Sequence, residues 1–445
     1  MEQNFMKVKS PFKLVITMSL PMVLSMLVNA LYNIVDSYFI AKISEDAMTA
    51  LSLVFPLQNL VMSVAVGFGI GINSAVSFYL GAQKPKSANK VASQGTVLNT
   101  VHGIILMLLC LAVMPSFLKL FTDDEQTISY ALRYSNIVFL FSVVITVEVS
   151  FEKIFQSVGK MAVSMLSMLG GCIVNIILDP ILIFGIGFIP SMGIEGAALA
   201  TGIGQVFTLL IYLIIYFMKP LPVKLSLKGQ FRGKKYFKRL YSVGIPATLN
   251  MALPSLLITA LNGILAQYSQ MYVLVLGIYY KLQTFIYLTS NGIVQGIRPI
   301  VGYNYGAKEY KRVKQIHNIA LLMCSIVMLI GMLICLFGAD KLMSIFTSSS
   351  QTIESGAAAL TIICWGFVPS SVSVITCGSL EGLGKGMPSL VISLIRYIAI
   401  IPIAYLMSRI MGAAGVWHSF WITEIISCML SYLLYRRSVY IEKRK

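Results

Sequence analysis

Acidic and amide side chains occur inside apolar segments of this chain, at spacings that would bring them together. Asn175 and Asp179 stand four residues apart in NIILDP, so on a helix they share one face. In an earlier apolar segment, Asn29, Asn33 and Asp36 also recur at helical spacing. A charged residue at the centre of a membrane helix costs about 2.5–3.5 kcal/mol on insertion scales, so each is a candidate functional group. The sequence therefore predicts a polar site built from Asp36, Asn175 and Asp179.

Two carboxylates and a carboxamide in a dry site can do two kinds of chemistry. Burial and like charge favour a shared proton on a carboxylate pair. The same oxygens suit a hard cation such as Na⁺. In the simpler alternative, a lysine or a helix end neutralises each acid separately, and Asp36 and Asp179 only lock helix packing. The sequence leaves H⁺ and Na⁺ open as ions for this site.

A third group of polar residues lies on one face of another apolar segment. Glu148, Glu152 and Gln156 recur at intervals of four residues, and such a face suits a cationic organic substrate. Alternatively, the acids pair with Lys153 or Lys160 and extend their charged ends to water. The candidate substrate-contacting residues are Asn29, Tyr32, Asn33, Glu148, Glu152 and Gln156.

Composition indicates a membrane protein that crosses the bilayer many times. Of the 445 residues, 57% are hydrophobic and 11% charged, against about 45–50% and 25% in soluble domains. The net charge of +17 is spread along the flanks of apolar segments, where basic residues orient a membrane protein and meet anionic lipids. We therefore expect membrane lipids and no nucleic acid as partners.

The sequence contains an internal repeat, in which matching residues are separated by one constant number of positions. This number is the separation of Pro21 from Pro246 and is called the repeat offset. Glycine, proline and lysine residues match at this offset without a gap, which chance similarity of apolar sequence does not readily produce. Further matches pair Gly67 with Gly292, Gly71 with Gly296, Gly159 with Gly384 and Lys160 with Lys385. Many transporters are built from such repeats, with the binding site between the two halves.

Twelve apolar segments are long enough to cross a membrane, since a span needs about 20 residues. They are 14–40, 51–79, 94–118, 129–156, 162–187, 194–218, 241–266, 272–303, 316–337, 356–381, 388–411 and 415–435. A linker at 219–239, with eight Lys or Arg residues and no acid, separates six from six. We predict an N-terminal lobe at 1–218 and a C-terminal lobe at 240–445. Because most basic loop residues fall on the side of both termini and the linker, both termini are predicted to be cytoplasmic.

Several short motifs, in this order, make the chain resemble the MATE family, the multidrug and toxic compound extrusion transporters. The motifs are LYNIVDSYFI at 31–40, GFGIGI and YLGA within 67–82 with an echo in IRPIVGYNYGAK at 297–308, NIILDP at 175–180, and GIEGAALAT at 193–201. The resemblance covers essentially all of 14–435. It implies an all-α membrane protein with twelve helices in two pseudo-symmetric six-helix lobes around a central cavity.

The resemblance also implies a function and a set of residues. Members export cationic or amphiphilic organic compounds by alternating access, in exchange for H⁺ or Na⁺, so small organic substrates such as dyes and quaternary ammonium compounds are expected. The ion-coupling residues of prokaryotic members look like Asp36, Asn175, Asp179 and Thr201 here. Some relatives carry acids in the seventh helix, and the segment TLNMALPSLLITALNG has none. This departure favours coupling through the first lobe.

Other functions remain to be weighed against export. A flippase for a lipid-linked precursor would bind an anionic pyrophosphate, and Lys281, Arg298 and Arg396 are basic residues in apolar segments. Glu424 is a further embedded residue without an assigned role. A membrane scaffold or receptor would leave the embedded acids unexplained. We expect a monomer in the bacterial inner membrane, with no enzymatic activity, no cofactor and no metal beyond Na⁺.

Overall fold

The computed structural model describes residues 4–187, 189–226 and 234–440. Within these ranges every regular element is a helix. The middle of the predicted basic linker, 227–233, and the last residues of the C-terminal tail, 441–445, lie outside the described residues, as do 1–3 and 188.

The helices follow one another with short connections. They are α1 (Phe5–Val8), α2 (Pro11–Ala41), α3 (Glu45–Gly81), α4 (Pro85–Leu118), α5 (Glu125–Leu140), α6 (Ser142–Ser157), α7 (Met161–Phe184), α8 (Ile194–Met218), α9 (Lys234–Ala266), α10 (Gln270–Gly306), α11 (Tyr310–Ser344), α12 (Ser350–Ile363), α13 (Phe367–Gly382), α14 (Gly386–Leu394), α15 (Ile400–Met411) and α16 (Ala413–Tyr440). A 3₁₀ turn joins α12 to α13, and a π-helical turn joins α14 to α15.

All twelve predicted segments are helical, and the all-α fold class is confirmed. In the described part of the chain, ten helical spans are long and apolar enough to cross a membrane. The fourth predicted segment is broken at Phe141 into α5 and α6, and the twelfth corresponds to α16. The end predicted for the fifth segment, residue 187, was wrong. The helix α7 ends at Phe184, because Gly185 has φ +79°, a conformation that ends a helix.

Unusual backbone conformations recur at the offset of the sequence repeat. Gln83 and Lys308, which are separated by the repeat offset, both have positive φ, at 56° and 62°. Gly159 and Gly384, separated in the same way, have φ of 83° and 78° and follow α6 and α13. Since residues other than glycine adopt positive φ only rarely, its recurrence at Gln83 and Lys308 shows that the two halves share local structure.

Contacts divide the chain into two compact units. The first unit is Leu24–Thr248, and the second combines the residues before Leu24 with those after Thr248. The boundaries therefore fall inside α2 and α9, at Val23 and Thr248, which are again separated by the repeat offset. The lobe boundaries at the basic linker are a division of the sequence and stay a prediction.

Glycines let helices from different parts of the sequence approach closely within each unit. In the first unit, the start of α9 packs on α3, and a Cβ at Gly67 would lie 2.6 Å from the backbone nitrogen of Thr248. In the second unit, the start of α2 packs on α10, and a Cβ at Gly292 would lie 2.6 Å from the Cα of Val23. Any side chain at either glycine would overlap the neighbouring backbone.

Candidate functional site

The predicted polar stripe of α2 lies in the part of the helix that belongs to the first unit. Asn33 donates from Nδ2 to the backbone oxygen of Asn29 at 2.7 Å and to its Oδ1 at 3.3 Å. Asp36 follows on the same face and is half-buried. Asn33 is exposed, whereas Asn29 and Tyr32 are half-buried. The stripe therefore presents one hydrogen-bonded amide pair and one carboxyl group.

Asn175 connects α7 to α8 through hydrogen bonds. Its Nδ2 donates to Asp179 Oδ1 at 3.5 Å and to Thr201 Oγ1 at 3.4 Å. The approach of α7 and α8 depends on small residues: a Cβ at Gly204 would lie 2.9 Å from the carbonyl oxygen of Gly171. Asn175 and Asp179 are buried. The structure thus brings Asn175, Asp179 and Thr201 into one group.

Asp36 on α2 belongs to the same polar cluster. Asp179 lies close enough to Asp36 to be affected by its charge, and Tyr32 lies within range of both carboxyl groups. Three buried oxygens, Asp36 Oδ1, Asn175 Oδ1 and Asp179 Oδ2, have no hydrogen-bond partner among the residues that the structure describes. Buried acceptors normally accept a hydrogen bond, and a buried acceptor without one costs about 1–3 kcal/mol of stability. The two carboxylates can take up a proton, and all three oxygens can coordinate a hard cation.

The structure gives neither acid a basic partner within the described ranges. Within the described ranges, no Lys, Arg or His nitrogen lies within 4.0 Å of a carboxylate oxygen of Asp36 or Asp179. The same part of the chain contains no group of three His, Cys, Asp or Glu residues that could hold a metal ion. What the cluster offers is a mixed set of carboxylate, amide and hydroxyl oxygens.

Two residues near this cluster were missed in the sequence. Tyr134 of α5 is buried and lies within range of the charges on Asp36 and Asp179. Gln58 of α3 donates from Nε2 to the Tyr134 hydroxyl at 3.4 Å. Gln58 is a polar residue in an apolar segment, which was an available signal. Tyr134 carried none, because aromatic residues are common throughout the chain.

The predicted acidic face of α6 is divided between two environments. Glu148 is half-buried and its charge reaches Tyr32, so it lies near the cluster around Asp36. Glu152 is buried and accepts from Lys153 Nζ at 3.0 Å and from Gln156 Nε2 at 2.6 Å. The ion pair of the simpler alternative is present, but Glu152 and Lys153 are 5% and 3% exposed, so neither extends to water. Of the two acids on this face, Glu148 is in no ion pair with another described residue.

Embedded charges of the second unit mostly occur as pairs. Arg298 donates from Nε to Glu381 Oε2 at 2.9 Å. Arg396, in the π-helical turn, donates from Nε to Glu424 Oε1 at 2.6 Å. Lys281 differs from both arginines: it is exposed and lines a cavity. Two of the three basic residues considered for a pyrophosphate are therefore already neutralised.

Internal repeats and acids within apolar helices that have no basic partner in the described residues are features of membrane transporters. The MatE family model matches residues 21–181 and again 246–406. The chain belongs to the MatE family. Because the second matched range begins and ends one repeat offset after the first, the predicted repeat and its offset are confirmed.

Individual relatives cover nearly the whole chain. Multidrug export protein MepA of Staphylococcus aureus (strain MRSA252) is 27% identical over 436 residues, which is 97% of this chain and 95% of that protein. Multidrug export protein MepA of Staphylococcus saprophyticus is 26% identical over 96% of this chain and 93% of its own length.

Solved structures show the same fold. A MOP superfamily transporter from Pyrococcus furiosus, described as having a binding pocket of reverse polarity, superposes with a TM-score of 0.93 at 22% identity, over 100% of this chain and 99% of that one. A multidrug resistance MATE transporter in an outward-facing conformation gives 0.92 at 22% identity, over 99% and 98%. The chain is thus a multi-pass membrane transporter with the MATE fold.

Proposed function

We propose that this chain exports amphiphilic organic cations in exchange for H⁺ or Na⁺, with Asp36, Asn175, Asp179 and Thr201 as the ion-coupling residues. The observation that carries the proposal is the set of three buried oxygens without partners on Asp36, Asn175 and Asp179. The name of the staphylococcal relatives, multidrug export protein, supports the substrate class.

The geometry suggests how ion and substrate compete. When no ion is bound, the carboxylates of Asp36 and Asp179 repel each other, and nearby Glu148 adds negative charge. This state attracts an organic cation, with Tyr32, Asn29 and Asn33 as the candidate contacts on α2. A proton or Na⁺ on the carboxylates removes that attraction, so the substrate leaves. Glu152 and Gln156 would contribute indirectly, because Glu152 is already neutralised by Lys153.

Alternating access supplies the remaining step of the proposal. A transporter must expose its site to one side at a time, and internally duplicated transporters do so by rocking one repeat against the other. We place the chain, as a monomer, in the bacterial inner membrane with both termini in the cytoplasm, on the strength of the positive charge of the loops. A reporter that works only outside the cytoplasm can be fused after Lys445. If the fused reporter is active, this orientation is wrong.

The flippase alternative is weaker in the structure than in the sequence. A pyrophosphate needs unpaired cationic groups, whereas Arg298 and Arg396 donate to Glu381 and Glu424. Lys281 alone would leave most of the pyrophosphate charge unneutralised.

Everted membrane vesicles test the proposal and identify the ion. Ethidium, an organic cation, is added outside everted vesicles that contain the chain, and the vesicles are energised either by a pH gradient or by a Na⁺ gradient alone. We expect uptake with one gradient and none without a gradient. Absence of uptake with both gradients, in vesicles that contain well-expressed protein, would show that the chain is not a cation-coupled exporter.

A further inference from the structure

A cavity of about 480 Å³ lies between α9 and α10 in the second unit. Its polar lining consists of Asn262, Gln270 and Lys281, and its apolar wall includes Ile258 and Ile278. Ligand cavities for organic molecules are typically about 300–1,000 Å³ and combine an apolar wall with a few polar groups. By size and composition this cavity can hold an organic molecule.

Lys281 is the charged group of the cavity, and none of the lining residues is acidic. In the part of the chain that the structure describes, no carboxylate lies within 4.0 Å of its ammonium group. Arg298 and Arg396 of the same unit each have a glutamate partner. Lys281 is therefore an exposed cation in an apolar helix, without a carboxylate partner in the described part of the chain, and a charged residue within such a helix is a candidate binding group.

The cavity is open beside the lysine because of a glycine. Gly277 lies one turn before Lys281 on α10, so the two residues share a face of the helix. A Cβ built at Gly277 would meet no atom within 4 Å. The glycine thus leaves room for a ligand, and a Cβ atom can be added at this position without contact to the described protein around it.

We propose that this cavity binds the carboxylate of an amphiphilic organic solute. The Lys281 ammonium and the side-chain amides of Asn262 and Gln270 donate to the carboxylate oxygens, and the apolar wall holds the hydrocarbon part. A carboxylate fits because the lining supplies one positive charge and several N–H donors and no negative charge. The inference rests on the proposed export function and names the residues that would recognise a carboxylate on a substrate.

Rhodamine 110 and its methyl ester form a matched pair of probes, because they differ only in whether the carboxylate is free. The full-length protein is reconstituted in vesicles of phosphatidylcholine, and export of each dye is measured for the unmodified chain and for Lys281→Gln. We expect Lys281→Gln to lower export of the free acid about tenfold, a factor typical of one lost charge-assisted contact, and to leave the ester within about twofold. Lys281→Arg should retain export of both dyes.

A second variant keeps the charge and removes the space. Gly277→Phe fills the cavity while Lys281 stays in place, and we expect it to lower export of the free acid and not of the ester. Equal loss of both dyes in Lys281→Gln and Gly277→Phe, or no loss of either, would overturn the proposal.

Two further measurements separate this inference from the proposed function and from a lipid ligand. Binding of rhodamine 110 to the purified protein, followed by fluorescence polarisation, should weaken in Lys281→Gln even if no transport is found, so that failure of export alone does not decide the matter. If phosphatidylglycerol displaces rhodamine 110 from the unmodified chain and not from Lys281→Gln, the occupant is a lipid headgroup and the proposal of a solute site is wrong.

Discussion

The two units contain equivalent helices and differ in the residues that occupy equivalent positions. The first unit holds Asp36 and Asp179, neither of them in an ion pair within the described ranges. The equivalent positions in the second half are Leu261 and Ala404, and both are fully buried. The second half therefore builds the same helices with apolar residues at these positions. It follows that the acids of the first unit are not required for the fold, which favours a functional role.

A second difference between the units lies where α3 meets α6 and where α10 meets α13. In the first unit, a Cβ at Gly69 would lie 2.9 Å from Cγ of Lys153, so the glycine makes room for the lysine stem. In the second unit, Val294 takes the place of Gly69 and Gly378 takes the place of Lys153. Here the large side chain is therefore on α10, where it packs over the glycine of α13. Each unit buries an ion pair near this junction, but the cation is on α6 in the first and on α10, as Arg298, in the second. The repeat thus conserves the volume and the charge balance while the residues differ.

The largest effect is expected at the unpaired acids. Asp36→Asn and Asp179→Asn should each reduce gradient-driven export of an organic cation by about two orders of magnitude, and the double variant should be no worse, because residues that act as a unit are non-additive. Gradient-driven dye uptake into everted vesicles measures this. Asp123→Asn, which changes an exposed acid in a loop, is the matched control and should retain export. Partial losses that add in the double variant would instead indicate two independent structural acids.

The next effect concerns the buried ion pair of the first unit. Lys153→Met leaves Glu152 buried without its cation, and breaking such a pair costs about 3–5 kcal/mol. We expect a lower unfolding midpoint in detergent, and a comparable decrease for Arg298→Met in the second unit.

A combined variant sharpens this comparison. Gly69→Val, Glu152→Cys and Lys153→Gly together give the first unit the residues that the second unit has at the equivalent positions. If the repeat conserves volume and charge balance as we infer, this triple variant should unfold at a higher temperature than Lys153→Met. A triple variant less stable than Lys153→Met would show that the two junctions are not interchangeable.

A moderate effect is expected at the close helix contacts. Gly67→Ala and Gly292→Ala each place a methyl group against the backbone of a neighbouring helix, and overpacking of this kind costs about 1–3 kcal/mol. The two losses should be similar, as measured by the unfolding midpoint of each variant. Gly263→Ala is the control, because its methyl group would meet nothing within 4 Å. A loss in only one of the two variants would mean that the contacts are not equivalent.

The smallest effect distinguishes two equivalent helix caps. Asp124 accepts at 2.7 Å from the backbone nitrogen of Thr127 at the start of α5, and Ser349 accepts from Thr352 at the start of α12. Hydrogen bonds from the side chain and backbone of Thr127 lower the pKa of Asp124, so its capping contribution is complete above the ordinary aspartate pKa of about 3.9 and is lost as the pH falls below it. The Ser349 cap does not titrate.

Hydrogen exchange measures this difference. Protection factors, which correct for the intrinsic exchange rate, should fall in acid at the Thr127 amide and not at the Thr352 amide, and Asp124→Ser should abolish the difference. Equal acid sensitivity at both helices would contradict the assignment.

Much of the architecture could be read from the sequence because it depends on composition and periodicity. The helices follow from apolar length, and the repeat follows from glycine and proline matches at one offset. Asn175, Asp179 and Thr201 could be grouped from spacing and family resemblance, and the structure joins them by hydrogen bonds. Their role in ion coupling stays a prediction.

The remaining features depend on tertiary contacts that leave no local pattern. Pairing of an acid of α6 with Lys153 was one of the alternatives drawn from the sequence, but the burial of the Glu152–Lys153 pair was not predicted, because the pair was expected to extend to water. Tyr134 lies within range of the charge on Asp36, and a tyrosine in an apolar segment gives no periodic signal in the sequence. The grouping of the start of α2 with α10 was not predicted either, because matches at one offset identify equivalent residues and not the residues that touch.

The contact between Val23 and Gly292 has a consequence for how the chain is made. The start of α2 leaves the ribosome long before its partner glycine on α10 does. For a separation of roughly 270 residues, synthesis at about 5–20 residues per second takes about a quarter of a minute to a minute. During that time the first helix waits in the bilayer with part of its packing surface uncovered, so its ability to stay inserted must come from its own hydropathy. An insertion factor that shields polar helices would have to stay bound to this helix until α10 has been made.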